Sequence, residues 1–313
     1  MQPRPENYSY DLDETLGAVV GIRSLVPEDA FTATTLGTER AGSGVLIRRD
    51  GLILTIGYLV TEAETIWITL NDGRVVAGHV LGYDQETGFG LIQALARLTM
   101  PFLPLGSSSQ TKVGDAVVIG SVGGAGNSVA ARIVAKQEFA GYWEYLLDEA
   151  IFTAPSHPHW GGAPMIGASG ELLGIGSLQL QQSSEGTRAE NINMIVPIDL
   201  LKPILEDLLT VGRVQKPARP WLGMFAAELG KRVVVAGLSD RGPAKKADLR
   251  AGDVILSVDG EEVTDLAGFF RRIWSLGPAG TAIPMTVHRK GRTMDVRVPS
   301  ADRARLLKGP ILH

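Results

Sequence analysis

The sequence predicts a mainly β protein built from two domains. Its 313 residues are about twice the ~150 of a typical domain. Through roughly the first two hundred residues, short apolar runs alternate with turn signals every ~8–12 residues, the pattern of a β-barrel or sandwich. Glycine is abundant at 38 residues and aromatics are scarce at 6 %, which favours turn-rich β structure over a helical bundle. With 44 % hydrophobic and 20 % charged residues, the chain has the material for a real core.

The first strands fall at 45–47, 52–55, 65–70 and 75–80. Asn71-Asp72-Gly73 joins the last two as a hairpin turn, because glycine accepts the positive φ such a turn demands. Further strands fall at 116–120, 128–135, 150–153, 172–175 and 194–196. Pro197-Ile198-Asp199 then opens a helix over 200–209, with Leu201, Ile204, Leu205 and Leu208 on one face. Two prolines and three basic side chains break both periods over 211–220, which reads as a linker between domains. Beyond it lie strands at 232–235, 254–258, 282–287 and 294–298, a short helix after Pro243, and a longer one capped by Thr264 or Asp265. The division is an N-terminal segment 1–17, a domain 18–210, a linker 211–219, a second domain 220–302 and a tail 303–313.

Composition removes several functions. The absence of cysteine excludes disulfide scaffolds, thiolate zinc sites and Cys nucleophiles. A histidine base would have to be His79, His157, His159, His288 or His313. A formal charge of −4 argues against sequence-independent nucleic-acid binding, and no apolar run approaches the ~18 residues of a membrane span. The polar, acidic start Met1 to Asp13 is followed by an apolar stretch too short for an export signal. The expected location is therefore cytoplasmic if Met1 is the natural start, and periplasmic if a signal has been removed.

Three stretches of the first domain stand out together: Ser43-Gly44-Val45-Leu46-Ile47 with Asp50-Gly51-Leu52-Ile53-Leu54-Thr55, then Leu81-Gly82-Tyr83-Asp84-Gln85-Glu86-Thr87, then Gly162-Ala163-Pro164 with Gly170-Glu171-Leu172-Leu173-Gly174-Ile175. In that order they resemble the trypsin-like domain of the HtrA (DegP/DegS-like) serine proteases. The second domain resembles the PDZ domain that follows it in that family, through Trp221-Leu222-Gly223-Met224, Gly242-Pro243-Ala244, Ala247-Asp248-Leu249 and Gly252-Asp253-Val254-Ile255. The resemblance runs from about Ala18 to Val298 and implies a double six-stranded β-barrel followed by a PDZ module.

The resemblance also locates the catalytic positions. The base position falls on Tyr58, the orienting aspartate on Gly88 and the nucleophile on Gly161. Glycine has no side chain to acylate, and an unperturbed tyrosine, with a pKa near ~10, is a poor base at neutral pH. Losing such a triad typically costs ~10⁶ in turnover, roughly 8 kcal/mol of barrier. The expectation is a pseudoprotease with no catalytic residues and no cofactor or metal.

Nearby, His157 and His159 flank Pro158 beside Trp160 and Gly161 in the old cleft. An i, i+2 pair in extended chain points both rings to one side, so an enzyme of altered chemistry, with relocated residues or a metal there, is the alternative. Against it, the same side chains fill a cleft vacated by triad and substrate. The backbone of His159 and Gly161 matches where the family forms its oxyanion hole.

Trp221, Leu222, Gly223 and Met224 match the PDZ loop that binds a peptide's C-terminal carboxylate through backbone N–H groups, the peptide adding as a β-strand. Arg219 adds charge in this reading, the strand from Phe225 pairs with ligand, and Phe269, Phe270 and Ile273 form an apolar wall. The expected partners are C-terminal or internal peptide segments, with no nucleic acid. The other use of the groove is occupation by its own chain or a domain contact. The family's trimers imply a homotrimer or mixed oligomer, with Tyr8, Tyr10 and Leu16 as candidate contacts. A third reading makes the barrel itself the docking surface of a multi-protein complex.

Overall fold

The computed structural model describes residues 2–182 and 189–309. The chain forms two units: Met1–Gln137, Glu149–Val214 and Leu307–His313 make the first, and Glu138–Asp148 with Gln215–Leu306 make the second. A single crossing near 210 was expected. Instead the chain also lends the second unit a segment from within the first domain, the tip 138–148 of a hairpin.

In the first unit, helix α1 (Leu12–Gly17) leads into β1 (Val19–Leu25), and the short α2 (Ala33–Leu36) precedes β2 (Glu39–Leu46) and β3 (Leu52–Ile56). With β4 (Thr65–Thr69), β5 (Val75–Tyr83) and β6 (Phe89–Ala94), these strands close in the order β1-β2-β3-β6-β5-β4. Closure removes the sheet edges. The turn expected at Asn71-Asp72-Gly73 forms, with Gly73 at φ 84°. A second closed barrel follows from β7 (Ala116–Ile119), β8 (Val129–Gly141), β9 (Tyr145–Ala154), β10 (Pro164–Ile166), β11 (Leu172–Gln182) and β12 (Glu190–Pro197). Its interior is apolar, including Val117, Ile133, Met165 and Ile195. The family's double six-stranded barrel is therefore present.

The helix expected over 200–209 begins later. A 3-10 turn at Ile198–Leu200 gives way to α3 (Leu205–Val211). Pro203 explains the delay: it lacks an N–H and disfavours helical backbone at the residue before it. Leu16 does not serve as an assembly contact, because α1 buries it completely in its own unit. Tyr8 and Tyr10 remain partly exposed, their rings 5.4 Å apart.

The second unit carries β13 (Met224–Glu228), β14 (Val233–Leu238), α4 (Pro243–Lys246), β15 (Val254–Val258), β16 (Glu261–Glu262), α5 (Leu266–Ser275), β17 (Ala282–Arg289) and β18 (Arg292–Pro299). The sheet order is β13-β14-β15-β17-β18, with β16 paired to β15. Asp265 caps α5 by accepting from the Gly268 N–H at 2.7 Å. Phe269, Phe270 and Ile273 on that helix are fully buried in the core of the unit.

Candidate functional site

In the first unit, β3 runs into a 3-10 turn, Gly57–Leu59, that carries Tyr58. The turn is fastened by buried Arg40, whose guanidinium donates to the carbonyls of Tyr58 at 2.8 Å and Thr61 at 2.9 Å. The Gly57 N–H donates to the Gly88 carbonyl at 2.6 Å, which brings the base and orienter positions side by side. Gly161 completes the set: a Cβ built on it would lie 2.7 Å from the Tyr58 hydroxyl. Two of the three positions read from the family pattern, Tyr58 and Gly161, thus line one cleft of about 820 Å3 with Ser43, Asn127, His157, His159 and Trp160, while Gly88 meets the Gly57 backbone beside it.

The Tyr58 hydroxyl donates to the Ser177 carbonyl at 3.0 Å and hydrogen-bonds with the Trp160 side chain. Burial pushes this phenol well above its ordinary pKa, against the opposing pull of Trp160. Gly88 sits at φ 85°, backbone that glycine adopts freely and a side chain strains. Trp160 therefore packs against the base position.

The two histidines do not form a ligand pair. His157 is 1 % exposed, and its Nδ1 accepts the His159 N–H at 2.9 Å. Its Nε2 therefore carries the proton and donates to the Asn127 carbonyl at 2.7 Å. Both ring nitrogens are spent on backbone, and burial holds the ring below its ordinary pKa. The His159 ring is exposed, 6.0 Å from that of His157. The same geometry alters the oxyanion-hole expectation, since the His159 N–H is committed to the His157 ring. Among the described residues no group of three His, Cys, Asp or Glu side chains could hold a metal ion.

In the second unit, Leu222, Gly223 and Met224 do converge their N–H groups on one point, and a carboxylate occupies it. The Glu144 carboxylate accepts from Leu222 at 2.9 Å, Gly223 at 2.7 Å and Met224 at 3.1 Å. Gly223 adopts φ 72°, and a Cβ there would stand 2.6 Å from Gly242 Cα, so only glycine fits this turn. Phe225 flanks the groove, its ring 5.9 Å from that of Tyr142. Trp221 and Arg219 engage other neighbours: the Trp221 backbone exchanges hydrogen bonds with Ala301, and the Arg219 guanidinium lies over the Trp274 ring at 4.3 Å. Phe270 stacks on Trp274 at 5.6 Å. Sequence reasoning missed Glu144. The signal was the hairpin's crowding of Phe139, Tyr142, Trp143 and Tyr145 into a chain that is only 6 % aromatic.

The fold and both sites define a trypsin-like peptidase domain joined to a PDZ domain, and the comparisons agree. The trypsin-like peptidase domain family matches residues 42–175 and the PDZ domain family matches residues 220–299. The chain carries both domains in the order found in the HtrA-type relatives it resembles. Similar proteins include a probable periplasmic serine endoprotease DegP-like of Halomonas elongata, 30 % identical over 83 % of this chain and 56 % of the relative. The serine endoprotease DegS of Escherichia coli K12 is 26 % identical over 94 % of this chain and 85 % of its own. The chain spans about half the length of the DegP-like relatives it matches. Among solved structures, the HtrA-type protease AlgW with tripeptide aligns at a TM-score of 0.55 and 23 % identity, covering 99 % of each chain. A serine endoprotease of Yersinia pestis aligns at 0.52 and 24 %, covering 92 % of this chain and 95 % of its own. At such identities the structures speak for the fold. The DegP-like names place those relatives in the periplasm, matching the second of the two expected locations and giving the cytoplasmic one no support.

Proposed function

We propose that this protein is a catalytically silent HtrA-type protein that binds polypeptide through its PDZ unit, in a periplasmic setting. One observation carries the reading: the Tyr58 hydroxyl stands 2.7 Å from where any side chain at position 161 would begin. A half-buried phenol thus stands in the cleft at the point where a serine protease presents its nucleophile. Gly88 offers nothing to orient a base, and the His159 N–H is already donated. The relatives are named serine endoproteases, and this chain departs from them where their chemistry resides. The binding role rests on the retained carboxylate loop, Leu222 to Met224. Tyr8 and Tyr10, each partly exposed, are the candidate N-terminal contacts of a trimeric or mixed assembly. No observation favours altered chemistry at His157 and His159.

The test is incubation with unfolded casein, using the combined Tyr58→His, Gly88→Asp and Gly161→Ser variant for comparison. The unmodified chain leaves casein intact. Robust cleavage that disappears in His157→Ala or His159→Ala would overturn the reading.

A further inference from the structure

The amides that would receive a peptide's terminal carboxylate are already engaged by a carboxylate of the chain itself. Glu144 lies at the turn between β8 and β9, in the segment 138–148 that belongs to the second unit. Its backbone adopts φ 60°, a left-handed conformation that strains a non-glycine residue. The turn accepts that strain and delivers the side chain into the loop, leaving the residue 8 % exposed.

The mimicry extends beyond the carboxylate. Two residues earlier, the Tyr142 carbonyl accepts the Ala226 N–H of β13 at 2.9 Å, the backbone contact of a peptide adding to that strand. Two residues later, Leu146 joins the apolar core that contains Phe270 and Ile273. The flanks are tied down by Arg271 of α5, which pairs with Glu138 and, at 2.5 Å, with Asp148. Carboxylate, strand contact and apolar anchor are the three elements by which a PDZ groove holds a peptide end, and here one hairpin supplies all three.

We propose that the turn around Glu144 is an intramolecular ligand of the PDZ groove, and that a partner with a free C-terminal carboxylate binds by displacing it. The proposal rests on reading the unit as a receptor for peptide carboxylates. Backbone amides do not distinguish a side-chain carboxylate from a terminal one, since both present two oxygens to the same donors. A tethered ligand acts at an effective concentration of order mM, so it lowers the apparent affinity of a free peptide by the fraction of groove left open. Selectivity follows: a partner must add enough side-chain contact along β13 to outcompete the tether.

The probe is a fluorescent synthetic peptide of residues 137–144 carrying Glu144→Leu and a free C-terminal carboxylate, with its amidated form as control. Its affinity is measured at pH 8 for the full chain and for full-length Glu144→Gln and Glu144→Ala. Gln offers one acceptor oxygen where Glu offers two, and Ala offers none. The carboxylate peptide binds both variants at least tenfold more tightly than the parent, and the amide binds none of them. Hydrogen exchange gives a second readout that does not depend on affinity. The Leu222, Gly223 and Met224 amides exchange slowly in the parent, rapidly in Glu144→Gln, and slowly again once peptide is added. Equal affinity for parent and variants, with the carboxylate still preferred, overturns the internal ligand and leaves the receptor intact. Binding to none of the chains, or no preference for carboxylate over amide, overturns both.

Discussion

Returning a serine to position 161 is expected to destabilise the barrel unit rather than revive it. The new Cβ would stand 2.7 Å from the Tyr58 hydroxyl, closer than real Cβ contacts come, so the phenol must swing away. It would leave its hydrogen bond to the Ser177 carbonyl, 3.0 Å long, and its partner Trp160. Overpacking of this kind costs about 1–3 kcal/mol, and a lost buried hydrogen bond adds about 0.5–1.5. Gly161→Ser should therefore lose about 2–4 kcal/mol in urea unfolding followed by far-UV circular dichroism. Tyr58→His removes the hydroxyl from that space, so the double variant should recover about 1–2 kcal/mol relative to the sum of the two single changes. A Gly161→Ser loss below about 0.5 kcal/mol, or strict additivity in the cycle, would refute the claim that Tyr58 fills the nucleophile's place.

Three further outcomes follow from the same geometry. Gly88→Asp places a side chain at φ 85° and should cost about 1–2 kcal/mol, read as a lower midpoint in thermal unfolding; an unchanged midpoint contradicts the strain. His157→Ala leaves the Asn127 carbonyl and the His159 N–H without their partner and should cost about 2–4 kcal/mol, with the zinc content of the purified protein unchanged. Stoichiometric zinc lost in that variant would contradict the assignment. Burial pushes the Glu144 carboxyl up to about 7, against the Leu222, Met224 and Gly223 amides and the Arg303 charge. The folded state therefore binds a proton there that the unfolded chain has released. The stability this contributes is full below about pH 4.5 and is lost as pH rises through about 7, by roughly 3 kcal/mol in total. Glu144→Gln should lack that slope when urea midpoints are compared from pH 4 to 8, and an identical slope in both proteins would contradict it.

Much of the architecture was legible because its causes are local. Strand alternation, the Asn71-Asp72-Gly73 turn and the Asp265 cap each depend on a few adjacent residues, and all three form. The late start of α3 was also local, written in Pro203 but outweighed by the apolar period around it. β6 and β10 went unread because they are buried on most positions and show no alternation, and β1 because its end alternates with Ser24 buried and Leu25 exposed, against the apolar pattern.

At the barrel site, the family pattern located Tyr58, Gly88 and Gly161, but sequence spacing said nothing of how they fill one another's space. That the phenol covers Gly161 depends on strands more than a hundred residues apart, through Ser177. His157 looked like a ligand because the pattern does not reveal that Asn127 and His159 consume both its nitrogens. Glu144 was invisible for the same reason. It lies 78 residues before Leu222, and only the folded chain makes it that loop's carboxylate.

Covalent capture shows directly whether the trypsin-like cleft holds a nucleophile. The protein is incubated with excess fluorophosphonate, which phosphonylates an activated serine with loss of fluoride, and its intact mass is measured. No added mass is expected under conditions that label an active HtrA-type protease completely. A stoichiometric adduct mapped to a side chain lining the cleft with Tyr58, His157 and Gly161 would contradict it.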